Sequence, residues 1–380
     1  MTAITEKKKP MLTFTLASRA SQLAQIQAHI VRDALIEAFP STSEREYVFE
    51  TEFMRTAGDK NQAQALYVLG GAGSGGKSLW TEELEAALLM AAPPPAQSRE
   101  ESATTHQGGK DGEVEKPRKR VDMLVHSLKD VPTTLPPGCE IGAILEREDP
   151  VDSLVVKQGL PYKSLDELPD GSVVGTSSVR RVAQLRRNYP KLQFADVRGN
   201  LNTRMAKLDA PDGPYSALIL AKAGLVRLGM GGRITTDVSA PILYHAVGQG
   251  ALAVEIRAGD EEVLALCKAL NHPPTERCCR AERAMLKVLE GGCSVPVGAH
   301  TQILTDGKLR ITGTVTALDG LRHVEHTLEE AVSSAREAEA VGEKLAKILI
   351  ETGAREILDE IAKDKERRKA AEAAMGQTAA

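Results

Sequence analysis

The chain is poor in aromatic residues: 3% of its 380 positions, with one Trp, six Tyr and five Phe. Aliphatic side chains must therefore build its cores. There is also little to stack on nucleic-acid bases near its basic stretches, where only Tyr189 and Phe194 occur. No run of about 18 apolar residues is present, so no transmembrane helix and no membrane partner are expected. The N-terminus is polar, carries Lys7, Lys8 and Lys9, and is followed by no apolar segment. Neither a secretory signal nor an Arg-rich presequence is expected, which points to the cytoplasm. The cysteines are Cys139, Cys267, Cys278, Cys279 and Cys293: an odd number, with no C-x-x-C pair. That speaks against a disulfide framework or a metal centre and for a reduced protein. Charge of either sign is not in large excess: 48 Lys and Arg face 52 Asp and Glu, a formal net charge of −4, which argues against a general nucleic-acid binder.

Hydrophobic residues make up 42% of the chain and charged residues 26%, ordinary for a globular protein long enough for two or three domains. Residues 12–16 read as a strand, followed by a polar turn. Leu23, Ile26, Ile30 and Ala34 then recur at helical spacing up to Pro40. Residues 47–54 alternate as a strand, and a glycine-rich loop at 70–76 leads to a helix near 81–90. Residues 92–119 hold a Pro triplet, a Gly pair and many charges but almost no large apolar side chain, and read as a disordered surface insertion. Strand signals at 121–125, 153–156, 172–174 and 217–220 then alternate with helical ones, the rhythm of α/β domains. Thr275 is placed as the cap of a helix running to Glu290. A strand at 309–318, a helix at 334–351 and a frayed tail after Lys363 complete a smaller α+β unit.

Four segments are candidates for chemistry. Between Gly175 and Lys207 lie Arg180, Arg181, Arg186, Arg187, Arg198 and Arg204, preceded by Thr176-Ser177-Ser178 where a strand enters a helix. Arginine forks bind carboxylate or phosphate in two-point fashion, and free N–H groups at a helix start favour anions. A polyanion cleft fits this pattern; a solvated basic helix face or a nucleic-acid surface are the alternatives. His126-Ser127-Leu128-Lys129-Asp130 follows a buried strand, where open α/β sheets place ligand contacts. His126 itself reads as structural. Cys293 sits in Gly291-Gly292-Cys293-Ser294, an accessible turn past a helix end that suits a covalent tether or merely a small packing residue. Ser18-Arg19-Ala20-Ser21 is a strand-to-helix turn that simple capping would also explain.

Together these segments resemble the hydroxymethylbilane synthase (porphobilinogen deaminase) family. The matching stretches are ASRASQLAQIQ (17–27), GGKSLWTEELE (75–85), VDMLVHSLKDVPT (121–133), LEREDPVDSL (145–154), GTSSVRRVAQLRR (175–187), DVRGNLNTRMAKLD (196–209), LILAKAGLVRLG (218–229), AVGQGALAVEIR (246–257) and ERAMLKVLEGGCSVPVG (282–298). The resemblance implies three α/β domains: 1–149 plus 245–268, 150–244, and 269–380. The first two would resemble periplasmic binding proteins around a central cleft, and the third, a small α+β domain, would carry the cofactor cysteine. It implies stepwise head-to-tail condensation of four porphobilinogen molecules, with loss of ammonia, on a dipyrromethane primer held by Cys293, then hydrolysis to hydroxymethylbilane. Asp130 would be the catalytic residue. Lys129, Ser178, Arg180, Arg181 and Arg204 would bind the cofactor, and Arg19, Ser21, Gln27, Arg198 and Arg227 the substrate. A monomer is implied. The sequence departs from the family pattern at the 92–119 insertion, in the long 70–76 loop and at Trp80, where Phe is common. A non-catalytic anion-binding module of the periplasmic-binding type is the competing assignment; it needs neither Cys293 nor Asp130.

Overall fold

The computed structural model describes residues 10–42, 45–56, 81–90, 120–289 and 295–377. The 70–76 loop, Trp80, the 92–119 insertion and Cys293 lie outside the described residues.

Three sheets organise the chain. The first has the order β2-β1-β3-β10-β4, with β1 (Met11–Arg19), β2 (Glu46–Met54), β3 (Met123–Ser127), β4 (Cys139–Ile144) and β10 (Leu252–Arg257). The second has the order β7-β6-β8-β5-β9, with β5 (Asp152–Val156), β6 (Val173–Gly175), β7 (Gln193–Ala195), β8 (Ala217–Ala221) and β9 (Thr236–Val238). Their directions match strand for strand: two parallel pairings, then two antiparallel ones. The chain leaves the first sheet after β4, builds the second from β5 to β9, and returns as β10. Segments 145–151 and 239–251 therefore both run between the two sheets. β5, β8 and β10 are buried along their whole length, as expected of inner strands covered on both faces.

The helices flanking these sheets are α1 (Gln22–Ala38), α2 (Glu82–Met90), α3 (Val179–Asn188), α4 (Leu201–Asp209), α5 (Lys222–Arg227) and α6 (Glu261–Lys268). Side chains of Ser21, Ser178, Asn200 and Asp260 cap α1, α3, α4 and α6, each accepting from a backbone N–H of the first turn. Helix α1 packs against the first sheet through Ala28, Val31 and Leu35, which share a core with Phe14, Met123 and Val254.

The third sheet is antiparallel: β11 (Val297–Ile303), β12 (Lys308–Thr316) and β13 (His323–Ala331). Against it lie α7 (Pro273–Val288) and α8 (Ala335–Leu349), with α9 (Arg355–Gln377) beyond. Met285, Ile311, Leu345 and Leu349 form the shared core. The two helices pack so closely that a Cβ on Gly342 would stand 2.0 Å from the Ala281 carbonyl oxygen. A capping box at Ser334 and Glu337 starts α8.

Several expectations need adjustment. Strand β1 continues through Arg19, so the polar turn shrinks to two residues before α1. Helix α7 begins at Pro273, whose missing N–H costs nothing in a first turn; the Thr275 hydroxyl instead accepts from the Arg147 N–H at 3.2 Å. The tail after Lys363 is helical to Gln377. Strand β13 escapes the sequence because charged and polar residues such as Glu325, Thr327 and Glu329 fill its more exposed face.

Candidate active site

Strand β3 ends in a single 3-10 turn, Leu128–Asp130, anchored by the Leu128 N–H to the Ala251 carbonyl at 3.0 Å. The turn leaves Lys129 and Asp130 half-buried at the sheet end. In the second sheet, β6 ends at Gly175 and the chain turns through Thr176 to Ser178 into α3. The Ser177 hydroxyl donates to Val197 O (2.9 Å) and accepts from Val197 N (3.1 Å), which pins the 196–200 loop beside that helix start. Arg204 follows on α4, its Nε donating to Gly199 O at 2.8 Å.

Electrostatics bring these groups from the two sheets into one site. Burial drives the Arg204 pKa down to about 10, Arg181 and Arg198 add to the effect, and Asp130 opposes it. Burial likewise depresses Lys129; Asp130 and Asp152 oppose, while Arg181 and Arg180 reinforce. Lys129 and Asp130 of the first lobe thus lie within the field of Arg180, Arg181 and Arg204 of the second. No hydrogen bond or ion pair holds the Asp130 carboxylate among the described residues.

Arg180 and Arg181 are buried, at 4% and 6% exposure, and share one carboxylate. Asp152 Oδ2 accepts from Arg180 Nη2 (2.8 Å) and Oδ1 from Arg181 Nη2 (2.7 Å). The other forks reach backbone oxygens: Arg180 Nη1 to Tyr244 O (2.5 Å) and Arg181 Nη1 to Ile219 O (2.9 Å). Two buried donors, Arg181 Nε and Arg198 Nη2, have no hydrogen-bond partner among the described residues. Unsatisfied buried guanidinium N–H groups are costly, so a site that leaves them open is suited to an incoming carboxylate.

The remaining sequence-derived candidates are dispersed around this centre. Ser178 caps α3, its hydroxyl accepting from Arg181 N at 3.5 Å, and Ser21 caps α1. Gln27 is buried and exchanges hydrogen bonds with Ser127, at 2.9 and 3.1 Å, tying α1 to the end of β3. Arg19 is half-buried at the end of β1. Arg227 donates from Nη2 to Gly250 O (2.7 Å), against the second crossing segment. Arg186 and Arg187, in the last turn of α3, point elsewhere: Arg186 Nη1 donates to Leu318 O of the third unit at 2.9 Å. The arginine-rich stretch therefore splits by helical position. His126 is a structural residue, paired at 3.0 Å with the fully buried Glu255.

Sequence reading missed a second ionic centre where the two crossing segments meet α7. Glu282, fully buried, accepts from Arg147 Nη1 (2.9 Å) and Nη2 (3.1 Å), from Gly248 N (2.7 Å) and from the Thr301 hydroxyl. Burial alone would raise its pKa, but Arg147 and His245 bring it down to about 2. His245, buried beside it, is pushed down to about 4 by burial, with Glu282 opposing and Arg147 reinforcing. The folded pKa of His245 lies below its ordinary 6.5, so the unfolded chain takes the proton first and stability falls as pH drops from about 6.5 towards 4. Urea unfolding at pH 7 and pH 5 should show wild type losing roughly 2 kcal/mol more than His245→Gln. Parallel losses in both proteins would show that His245 is not the titrating group.

All described cysteines are held as thiols. Burial raises Cys139 and Cys267 to about 12 and raises Cys278 and Cys279 as well, so none of them is a ready nucleophile.

Two mixed sheets joined by paired crossings, with cationic side chains from both at their junction, define a two-lobed α/β protein built to hold a polyanion. Residues 14–92 and 113–265 match the family description "Porphobilinogen deaminase, dipyromethane cofactor binding domain", and residues 276–351 match "Porphobilinogen deaminase, C-terminal domain". The chain belongs to the porphobilinogen deaminase family. It is 44% identical over 347 residues to the porphobilinogen deaminase of Debaryomyces hansenii, covering 91% of this chain and 87% of that one. Against the Gloeobacter violaceus protein it is 46% identical (92% and 94% covered), and against that of Synechococcus elongatus 47% (93% and 96% covered). The break in the first family match falls inside the 92–119 segment. Among solved structures, the periplasmic aliphatic sulphonate binding protein SsuA from Escherichia coli is 11% identical at a TM-score of 0.33, covering 73% of this chain and 75% of that one, a likeness too loose to add to the assignment. The chain is accordingly a transferase with the family's hydroxymethylbilane synthase activity, acting on porphobilinogen with a dipyrromethane cofactor in tetrapyrrole (haem) biosynthesis.

Proposed function

We propose that Asp130 is the catalytic carboxylate of this reaction and that the cations around it hold the carboxylates of the cofactor and the growing chain. The observation that carries this is the position of Asp130 between the lobes, unpaired among the described residues and within the fields of Lys129 and Arg204. The dipyrromethane, tethered as a thioether to Cys293, supplies a free pyrrole α-carbon as the nucleophile. The residues present fit such a group: each pyrrole carries two carboxylates, and Arg181 Nε and Arg198 Nη2 are buried donors awaiting acceptors. Lys129, Ser178, Arg180, Arg181 and Arg204 bind acetate and propionate groups of the cofactor and chain. Arg19, Ser21, Gln27, Arg198 and Arg227 line the position of the incoming porphobilinogen. When ammonia leaves the substrate, positive charge develops on the ring nitrogen. The Asp130 carboxylate stabilises it in a site whose low polarity strengthens the interaction, then takes up or relays the proton lost on bond formation.

The proposed division is 1–149 plus 245–268, 150–244 and 269–380; the presence of three separate sheets supports it. Both walls of the cleft come from one chain, which supports a monomer. The burial of Arg180 and Arg181 supports a small polyanion over nucleic acid as the ligand. Among the described residues no helix is long and apolar enough to cross a membrane; the proposed location is the cytoplasm.

Arg204→Met is the direct test of the binding roles. Removing a charge-assisted fork should lower kcat/KM for porphobilinogen by ~10- to 100-fold while the covalent cofactor mass is retained. Unchanged kinetics would remove Arg204 from the site.

A further inference from the structure

Asp152 occupies a position that the carboxylate-binding roles above do not use. It is the first residue of β5, at 0% exposure, directly after the first crossing segment. Besides Arg180 and Arg181, its Oδ1 accepts from Gln249 Nε2 at 2.9 Å. Gln249 belongs to the second crossing segment, and the same amide nitrogen donates to Pro150 O in the first, at 2.6 Å. A single buried carboxylate thus joins the arginine pair at the start of α3 to both strands of chain that connect the lobes.

We infer that Asp152 is a positioning residue: a permanent internal carboxylate that sets the aim of Arg180 and Arg181 at the pyrrole carboxylates, and that, through Gln249, makes this aim depend on the two crossing segments. The inference rests on the anion-binding role proposed for the arginine pair.

The physical case has three parts. Two guanidinium groups buried side by side repel each other, and Lys129 adds a third positive charge within reach of both. One carboxylate between them removes most of that repulsion while leaving a net positive charge to attract a ligand. Burial would raise the Asp152 pKa, but Arg180 and Arg181 hold it far below the carboxylate range, so the internal anion stays charged across the working pH range. Each guanidinium commits one Nη to Asp152 and the other to a backbone carbonyl, which fixes the plane of the fork. With that plane fixed, the buried Arg181 Nε is left without a hydrogen-bond partner among the described residues. The amide of Gln249 is the link that turns a local ion pair into a connection with the inter-lobe segments. Any relative motion of those segments during elongation changes the setting of the forks.

The test uses holoenzyme given less than a full complement of porphobilinogen, with intact mass resolving the enzyme species that carry successive added pyrroles. Asp152→Asn and Gln249→Met are compared with wild type and with Arg180→Met, and thermal melting is recorded for each. Both Asp152→Asn and Gln249→Met should keep the cofactor mass and pile up at an early rung of the ladder, with elongation slowed by ~10-fold for Asp152→Asn and less for Gln249→Met. A merely structural role would lower the melting temperature and leave the distribution of rungs as in wild type. If Asp152→Asn fails to fold, Gln249→Met decides, because it keeps every charge: a wild-type ladder from it overturns the inference. If Arg180→Met itself runs a wild-type ladder, the anion-binding role of the pair is wrong. If Arg180→Met stalls while the other two variants do not, only the positioning role of Asp152 falls.

Discussion

Asp130→Asn is expected to fold as the wild type does and to lose between ~10²- and 10⁴-fold in kcat, the range associated with removing a positioned acid–base or charge-stabilising group. Folding should survive because the carboxylate holds nothing in place among the described residues. The turn around it is secured by Leu128 N–H to Ala251 O and Val131 N–H to Leu128 O, neither of which involves the Asp130 side chain. The amide matches the carboxylate in shape but carries no charge to offset the cation that forms as ammonia departs. It also takes from Lys129 and Arg204 a negative charge that opposes the downward shift of both. The check is steady-state turnover of porphobilinogen alongside a melting curve. Near-normal turnover in a folded variant would remove Asp130 from the chemistry.

The second large effect is structural. Arg147→Met is expected to destabilise the protein by roughly 3–5 kcal/mol, because it leaves Glu282 a buried carboxylate without its guanidinium, its hydrogen-bond partners among the described residues then being Gly248 N and the Thr301 hydroxyl. Arg147 lies on the first crossing segment, Gly248 on the second, Glu282 on α7 and Thr301 on β11, so the pair fastens the third unit to the segments between the lobes. The expected readout is a fall of roughly 5 °C in melting temperature. The double replacement Arg147→Met with Glu282→Leu should recover much of the loss, since removing both charges also removes their desolvation cost. A single variant as stable as wild type would mean that water reaches Glu282 and that the junction is looser than its hydrogen bonds imply.

The sequence exposes what is local. The run into Lys129 and Asp130, the Ser178 cap and the arginines behind it all sit where strand–turn–helix patterning places them, because each depends on neighbours a few residues away. The α/β class follows from the same rhythm. Long-range features stay hidden. β10 inserts between β3 and β4 after the whole second sheet has been built, and nothing in Leu252–Arg257 itself announces which strands it joins. Asp152 finds Arg180 and Arg181 across 28 and 29 positions, and Glu282 finds Arg147 across 135. An acid opening an otherwise uncharged strand, as in Asp152 before Ser153-Leu154-Val155-Val156, was the available hint of a buried partner. The arginine stretch looked like one cluster, yet the turn of α3 sends Arg180 and Arg181 inward and Arg186 towards the third unit. Composition and spacing led to a polyanion cleft; the particular polyanion came from resemblance, and family membership then established it.

The central claim is that this chain carries its own primer on Cys293. Intact mass of the purified protein beside a Cys293→Ser control tests it most directly. The account predicts a wild-type excess equal to two porphobilinogen units less two ammonia, absent from the control. A wild-type mass that stays unmodified even after incubation with porphobilinogen, or an equal excess in the Cys293→Ser protein, would contradict it.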